Sequence, residues 1–369
     1  MFPFADFPFL AAAIQDGIQR QLHTGIQVYI SQNCRPLLNS AMGEATPGRS
    51  MTPSAIMPWR SAGKPLTALL ILKFIEKNHF GGETTLQDLL PETAVSDKAA
   101  VTIFELLTHQ SGFPSTETGW PEADWRTTIA RIIAEPRQLP IGTAAYHPQS
   151  SWFLLGEILR RSGIDESTVS FETLLQKELL TPAGLTRTHC GIPAEFIVDQ
   201  TDELPVLYER DKGQLIESAY GSDPWLTRPS PGGNIRGPIS ELGRFYELML
   251  RNGESSGGLR IVSETTVRQM CARHRAGQYD QTLQHVIDFG LGIILNSNRH
   301  GPETVPYGFG RFASDDAFGH GGSQCSMGFC DPQHNLVVAW TSNGFCGEGQ
   351  HQRRNRMIND AVYKDLGLA

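Results

Sequence analysis

Basic residues are the minority in this chain of 369 residues: 31 Lys+Arg stand against 39 Asp+Glu, a formal charge of −8, and no long Lys/Arg run occurs. That balance leaves no electrostatic footprint for nucleic acid or an anionic membrane surface. Cysteine is sparse too. Cys34, Cys190, Cys271, Cys325, Cys330 and Cys346 form no Cys-x-x-Cys pair, and no histidines fall at finger-like spacing. A structural zinc and a disulfide-stapled scaffold are therefore not expected; the cysteines read as reduced thiols, mostly buried. No apolar run reaches the roughly 18 residues of a membrane span. The stretch Met1–Leu10 has no positively charged n-region and Asp6 interrupts it, so a signal peptide is not expected and the cytoplasm is the expected location. Internal repeats and low-complexity tracts are absent. What remains, 40% hydrophobic and 19% charged, is a globular composition with length for roughly two domains.

Apolar residues recur at helical spacing from Phe9 to Leu22, which predicts an opening amphipathic helix. Gly25–Ser31 alternates and predicts a strand, with Arg35–Met42 as its hairpin partner. A loop rich in Pro, Gly, Ser and Thr covers 46–60, and Pro65–Lys77 reads as an apolar, buried helix. Helical pieces follow at Thr102–His109, Asp124–Ala134, Ser151–Arg161 and Phe171–Leu180, and 191–230 is loop-rich. Later helices are expected at Ile239–Arg251, Ser263–Met270 and Gln350–Leu366, where Arg353, Arg354 and Arg356 read as a solvated face. Short strands are expected at Asp288–Leu295, Gly308–Phe312, Met327–Cys330 and Asn335–Thr341. The last is apolar on both faces and therefore central. Strands at both ends with helices between them suggest an α/β domain of residues 1–80 with 225–369, and an all-helical insert of residues 81–224. A cleft between the two is the natural place for a small-molecule site.

Three segments carry the residue types of nucleophilic chemistry. In Ser61-Ala62-Gly63-Lys64 a hydroxyl and an amine stand three residues apart at the start of the apolar helix. A serine hydroxyl needs a base, and burial lowers a lysine toward a base-competent pKa. Pro65 suits this place only if the helix is in its first turn there. Tyr146-His147-Pro148 puts a phenol between turn residues, where it could relay a proton near a lysine. In His320-Gly321-Gly322-Ser323 the glycines permit close backbone approach to a ligand, and amides there could join that of Ser61 in an oxyanion hole. The segment Leu106–Pro114 reads as a helix end capped by Gly112, with His109 a packing or capping residue.

The order and spacing of these segments resemble the serine β-lactamase and penicillin-binding-protein superfamily, in its class C β-lactamase-like branch. The resemblance covers nearly the whole chain. It rests on Trp59–Thr67, Leu106–Pro114, Tyr146 followed by Phe153–Leu159, Leu180–Thr188, Pro231–Arg236 with Leu242–Phe245, Phe318–Gly322, Asp331-Pro332 and Asn343-Gly344. It implies an antiparallel sheet flanked by helices, an inserted helical domain, and no metal or organic cofactor. It also implies Ser61 as acylated nucleophile, Lys64 as base and Tyr146 as proton shuttle. His320 would stand where lactamases carry the lysine of Lys-Thr-Gly, beside Gly322, with the Ser61 and Ser323 amides as the oxyanion hole. The family's Tyr-x-Asn is replaced by Tyr146-His147-Pro148. Proline supplies no amide side chain, so His147 or Gln149 is the candidate substitute. The reading that follows is a serine hydrolase or acyltransferase acting on a small-molecule ester. A β-lactamase or D-amino-acid peptidase (DD-carboxypeptidase) is the alternative. A catalytically inactive binding protein on the same fold is a third, and the oligomeric state stays open.

Overall fold

A computed structural model of the chain describes residues 4–162, 169–199 and 201–369. Helix α1 (Pro8–Gln19) leads into strands β1 (Gly25–Gln32), β2 (Arg35–Thr46) and the short β3 (Arg49–Ser50). Helices α2 (Lys64–Glu76), α3 (Ser150–Ser162) and α4 (Ile239–Leu250) follow, with shorter helical pieces between them. Strands β4 (Ile294–Leu295), β5 (Phe318–Gly322), β6 (Ser326–Asp331) and β7 (Leu336–Ser342) precede the closing helix α5 (Glu348–Asp365). Together the seven strands form one sheet in the order β4-β5-β6-β7-β1-β2-β3, antiparallel throughout. The fold class is thus the mixed α/β arrangement expected, and β7 lies at the sheet's centre.

Side chains of period two explain the layering. Val28, Ile30, Val338 and Trp340 pack with Leu10 and Ile14 of α1 and with Ile358, Val362 and Tyr363 of α5. The alternate residues Tyr29, Val337 and Ala339 face Leu242, Phe245 and Tyr246 of α4, in a core that continues through α2 into the helical middle of the chain. Asp365 locks the chain ends together. Its carboxylate accepts the amides of Phe9 and Leu10 at 3.0 and 2.9 Å, partnering first-turn N–H groups that α1 itself cannot bond.

Three local expectations change. Asp288–Leu295 is not one strand: Gly290 and Gly292 turn it back on itself, the Gly290 amide bonding to Ile293 O at 2.9 Å, so only Ile294–Leu295 reaches the sheet. Gly308–Phe312 is a loop. Its carbonyls are taken by side chains rather than a neighbouring strand, Gly308 O by Asn355 (2.7 Å) and Gly310 O by Asn298 (2.8 Å). Arg354 is not on a solvated face. It is buried, its guanidinium donating to Leu22 O at 3.2 Å and Gln324 O at 2.7 Å, while Arg353 stays exposed. No described helix is long and apolar enough to cross a membrane.

Candidate active site

Ser61 sits in a 3₁₀ turn, Arg60–Gly63, that runs directly into α2 at Lys64. Side chains three apart eclipse in a 3₁₀ turn, and Lys64 Nζ accordingly lies 3.2 Å from Ser61 Oγ. Pro65 falls in the first turn of α2, where its missing N–H costs nothing. Just before the serine, Arg60 holds a left-handed backbone (φ 53°), a costly state for a residue with a Cβ. Its guanidinium is laid over the Tyr220 ring, 3.9 Å from the centroid, which ties that residue down.

Lys64 is fully buried, and its amine also reaches Pro148 O at 2.7 Å and Gly232 O at 2.5 Å. Burial, with the nearby charge of Arg60, holds its pKa well below the ordinary 10.5. In its neutral form the amine has two hydrogens and one lone pair. Carbonyls only accept, so Pro148 O and Gly232 O take the hydrogens and the lone pair is left for the Ser61 hydroxyl.

Tyr146 brings its ring to 5.3 Å from Lys64 Nζ. Its Oη is buried and has no hydrogen-bond partner; burial raises the phenol above its ordinary pKa, so it is a protonated donor. Three successive amides fix this loop. Ala145 N–H bonds to His109 O (3.0 Å), Tyr146 N–H to Asp280 Oδ1 (3.0 Å) and His147 N–H to His109 Nδ1 (3.0 Å). Asp280 is held in turn by Arg275, Nη2 to Oδ2 at 2.8 Å, both fully buried. The short helix Ile103–Leu107 stops well before Gly112, and His109 itself takes the left-handed backbone (φ 59°) beyond its end.

His320 lies on β5. Its Nδ1 donates to Gly321 O at 2.7 Å, which leaves Nε2 a bare acceptor, buried and unpartnered. Burial is the main cause that lowers its pKa to about 3, so the ring is neutral. Gly322 does not line the cavity. A Cβ there would come 2.1 Å from Trp59 O, so glycine is what lets β5 pack against the segment carrying Ser61. Among the described residues the amides of Ser61 and Ser323 donate to no group of the chain.

These side chains surround a cavity of about 530 Å³, whose wall includes Ser61, Tyr146, Pro148, His320, Ser323 and the apolar Leu283 and Ile294. His147 is not part of it. The backbone turns its ring inward, where it meets Ser111 Oγ at 3.1 Å, the Phe113 amide at 3.2 Å and Ser151, so it cannot replace the missing asparagine side chain. Gln149 is also engaged elsewhere, accepting from Thr118 Oγ1 at 2.9 Å. His109, Asp280 and Arg275 were not readable as site residues: the first looked like a helix end, and the other two lie in a stretch with no motif. Among the described residues no three His, Cys, Asp or Glu side chains gather as a metal would require.

Such a sheet, and a cavity where a buried amine meets a serine, define a serine hydrolase of β-lactamase type. The chain belongs to the Beta-lactamase family, whose model matches residues 10–363. It is 22% identical over 338 residues to Penicillin-binding protein 4 of Amycolatopsis lactamdurans, covering 89% of this chain and 83% of that one. Among solved structures it is similar to a family VIII carboxylesterase, with a TM-score of 0.76 at 22% identity and 98% of each chain covered. It is also similar to EstCE1, a hydrolase with promiscuous acyltransferase activity, with a TM-score of 0.78 at 20% identity, 98% of this chain and 100% of that one being covered.

Proposed function

We propose that this protein cleaves or transfers an ester acyl group through an acyl-enzyme on Ser61. The observation that carries the reading is the 3.2 Å approach of the buried Lys64 amine, its pKa held well below 10.5 by burial, to the Ser61 hydroxyl. Lys64 takes the hydroxyl proton as Ser61 Oγ attacks the carbonyl carbon, and the amides of Ser61 and Ser323 receive the developing oxyanion. The tetrahedral adduct expels the alcohol, which gains its proton from the Lys64 ammonium by way of the Tyr146 hydroxyl. Water or an acceptor alcohol then retraces the path, Tyr146 passing its proton back toward Lys64.

An ester rather than an amide is favoured by Pro148, which puts a ring into the cavity wall where an amide side chain would recognise an acyl amide. The second reading, a β-lactamase or D-amino-acid peptidase, has its support in the similarity to a penicillin-binding protein. A fluorophosphonate probe, p-nitrophenyl esters with and without alcohol acceptors, and nitrocefin separate the cases. We expect an adduct on Ser61 and faster turnover of esters than of nitrocefin. Faster nitrocefin turnover selects the second reading. No adduct and no turnover of either substrate selects an inactive binding protein.

A further inference from the structure

Ser323 faces two cavities. Beyond the one already described, it borders a smaller pocket of about 310 Å³ together with Arg60, Arg210, Tyr220, Gln324 and Glu209. Arg60 is fixed here by stacking on Tyr220, with Phe345 on a further side at 5.3 Å. Among the described residues the guanidinium groups of Arg60 and Arg210 make no ion pair or hydrogen bond, and Arg210 Nε is buried without a partner. Glu209 also borders the pocket but forms no ion pair with either arginine among the described residues; its Oε1 accepts from Ser218 Oγ at 2.5 Å.

A third guanidinium lies behind the pocket. Arg236 is buried and donates to Tyr220 O at 2.7 Å and to Asn234 Oδ1 at 2.8 Å, with no carboxylate among its partners. Burial, and then the charge of Arg60, brings its pKa down to about 9. In a chain with eight more acids than bases, this corner gathers three guanidiniums and leaves two of them unpaired. Partly buried cations without a counter-charge are destabilising, and a guanidinium fork is shaped for two oxygens of one anion.

We propose that this pocket binds a carboxylate or phosphate group carried by the ester substrate, so that the enzyme selects anionic esters. The substrate assignment rests on the Ser61 reading above; the anion site does not. The first test compares p-nitrophenyl hydrogen glutarate with the neutral p-nitrophenyl valerate as a ratio of kcat/KM. The wild type should favour the anionic ester, Arg210→Gln should lower the ratio roughly 10- to 100-fold, and Arg210→Lys should restore part of it.

The second test needs no turnover: calorimetric titration of the Ser61→Ala protein with glutarate and with inorganic phosphate. Binding that Arg210→Gln abolishes is expected. Glutarate alone assigns a carboxylate and phosphate alone a phosphoryl group. No binding of either anion, with a ratio that Arg210→Gln leaves unchanged, overturns the proposal. Anion binding with an unchanged ratio overturns its substrate part. Anion binding in a protein that hydrolyses no ester removes the Ser61 reading and leaves the pocket standing.

Discussion

The carbonyl of Pro148 lies 2.7 Å from Lys64 Nζ, so a residue with no polar side chain still completes the surroundings of the lysine. With Gly232 O on another side, the amine is oriented entirely by main chain on this flank. A carbonyl directed at Lys64 does only half of what an asparagine would do, because it offers nothing to the acyl group in the cavity. Under the proposed mechanism, orientation of the base and recognition of the substrate are separated here, and only the first is retained.

Pro148→Asn should therefore restore the second function without disturbing the first, since the carbonyl remains whatever the side chain. The ratio of nitrocefin or D-amino anilide turnover to p-nitrophenyl butyrate turnover should rise by about tenfold or more, the discrimination one well-placed hydrogen bond provides. An unchanged ratio would mean that amide selectivity is set elsewhere in the cavity.

Lys64, the proposed base, can act only when neutral. Its depressed pKa predicts that acylation rises with pH through a value well below 10.5 and levels off before the ordinary lysine range. Lys64→Arg keeps a cation that cannot deprotonate and should abolish the burst of p-nitrophenol, a loss of about 10³-fold or more. A burst of normal amplitude in that variant would refute the assignment.

The sequence made the sheet and the Ser61–Lys64 pair legible because both depend on short-range pattern: alternation in Gly25–Ser31, an unbroken apolar run in Leu336–Trp340, and three-residue spacing ahead of an apolar helix. Tyr146 was legible as a phenol among turn residues, but nothing nearby shows what holds it. Asp280 lies 134 residues downstream, and only the folded chain brings its carboxylate to the Tyr146 amide. Arg354 misleads for the opposite reason. Its neighbours Arg353 and Arg356 suggest a wet helix face, whereas carbonyls from Leu22 and Gln324 converge to satisfy it inside.

Asp280→Asn removes the charge that pairs with Arg275 and weakens the grip on the Tyr146 amide. Leaving a buried arginine unpaired should cost about 3–5 kcal/mol of stability. Where the variant remains folded, a shifted phenol should lower kcat by roughly 10- to 100-fold with little change in KM. The double variant with Tyr146→Phe tells positioning from mere destabilisation. If Asp280 acts through the phenol, kcat of the double variant should match that of Tyr146→Phe alone; independent, multiplicative losses would reject the link.

Five histidines, His23, His109, His147, His320 and His351, are buried, and burial is the first cause lowering the pKa of each. For His147 and His320 the folded value is about 3. Unfolded, a histidine titrates near about 6.5. Between those values the unfolded chain binds protons that the folded chain refuses, so stability rises with pH across this window and falls as pH drops through it. One pH unit below the unfolded value, each such group removes up to about 1.4 kcal/mol. Carboxylates add little at that pH, because they titrate lower. Urea midpoints measured from pH 7.5 to 5 should decline steeply, beginning near pH 6.5. A flat profile across that range would show that these rings gain protons as readily in the folded chain as in the unfolded one, and would contradict a neutral His320.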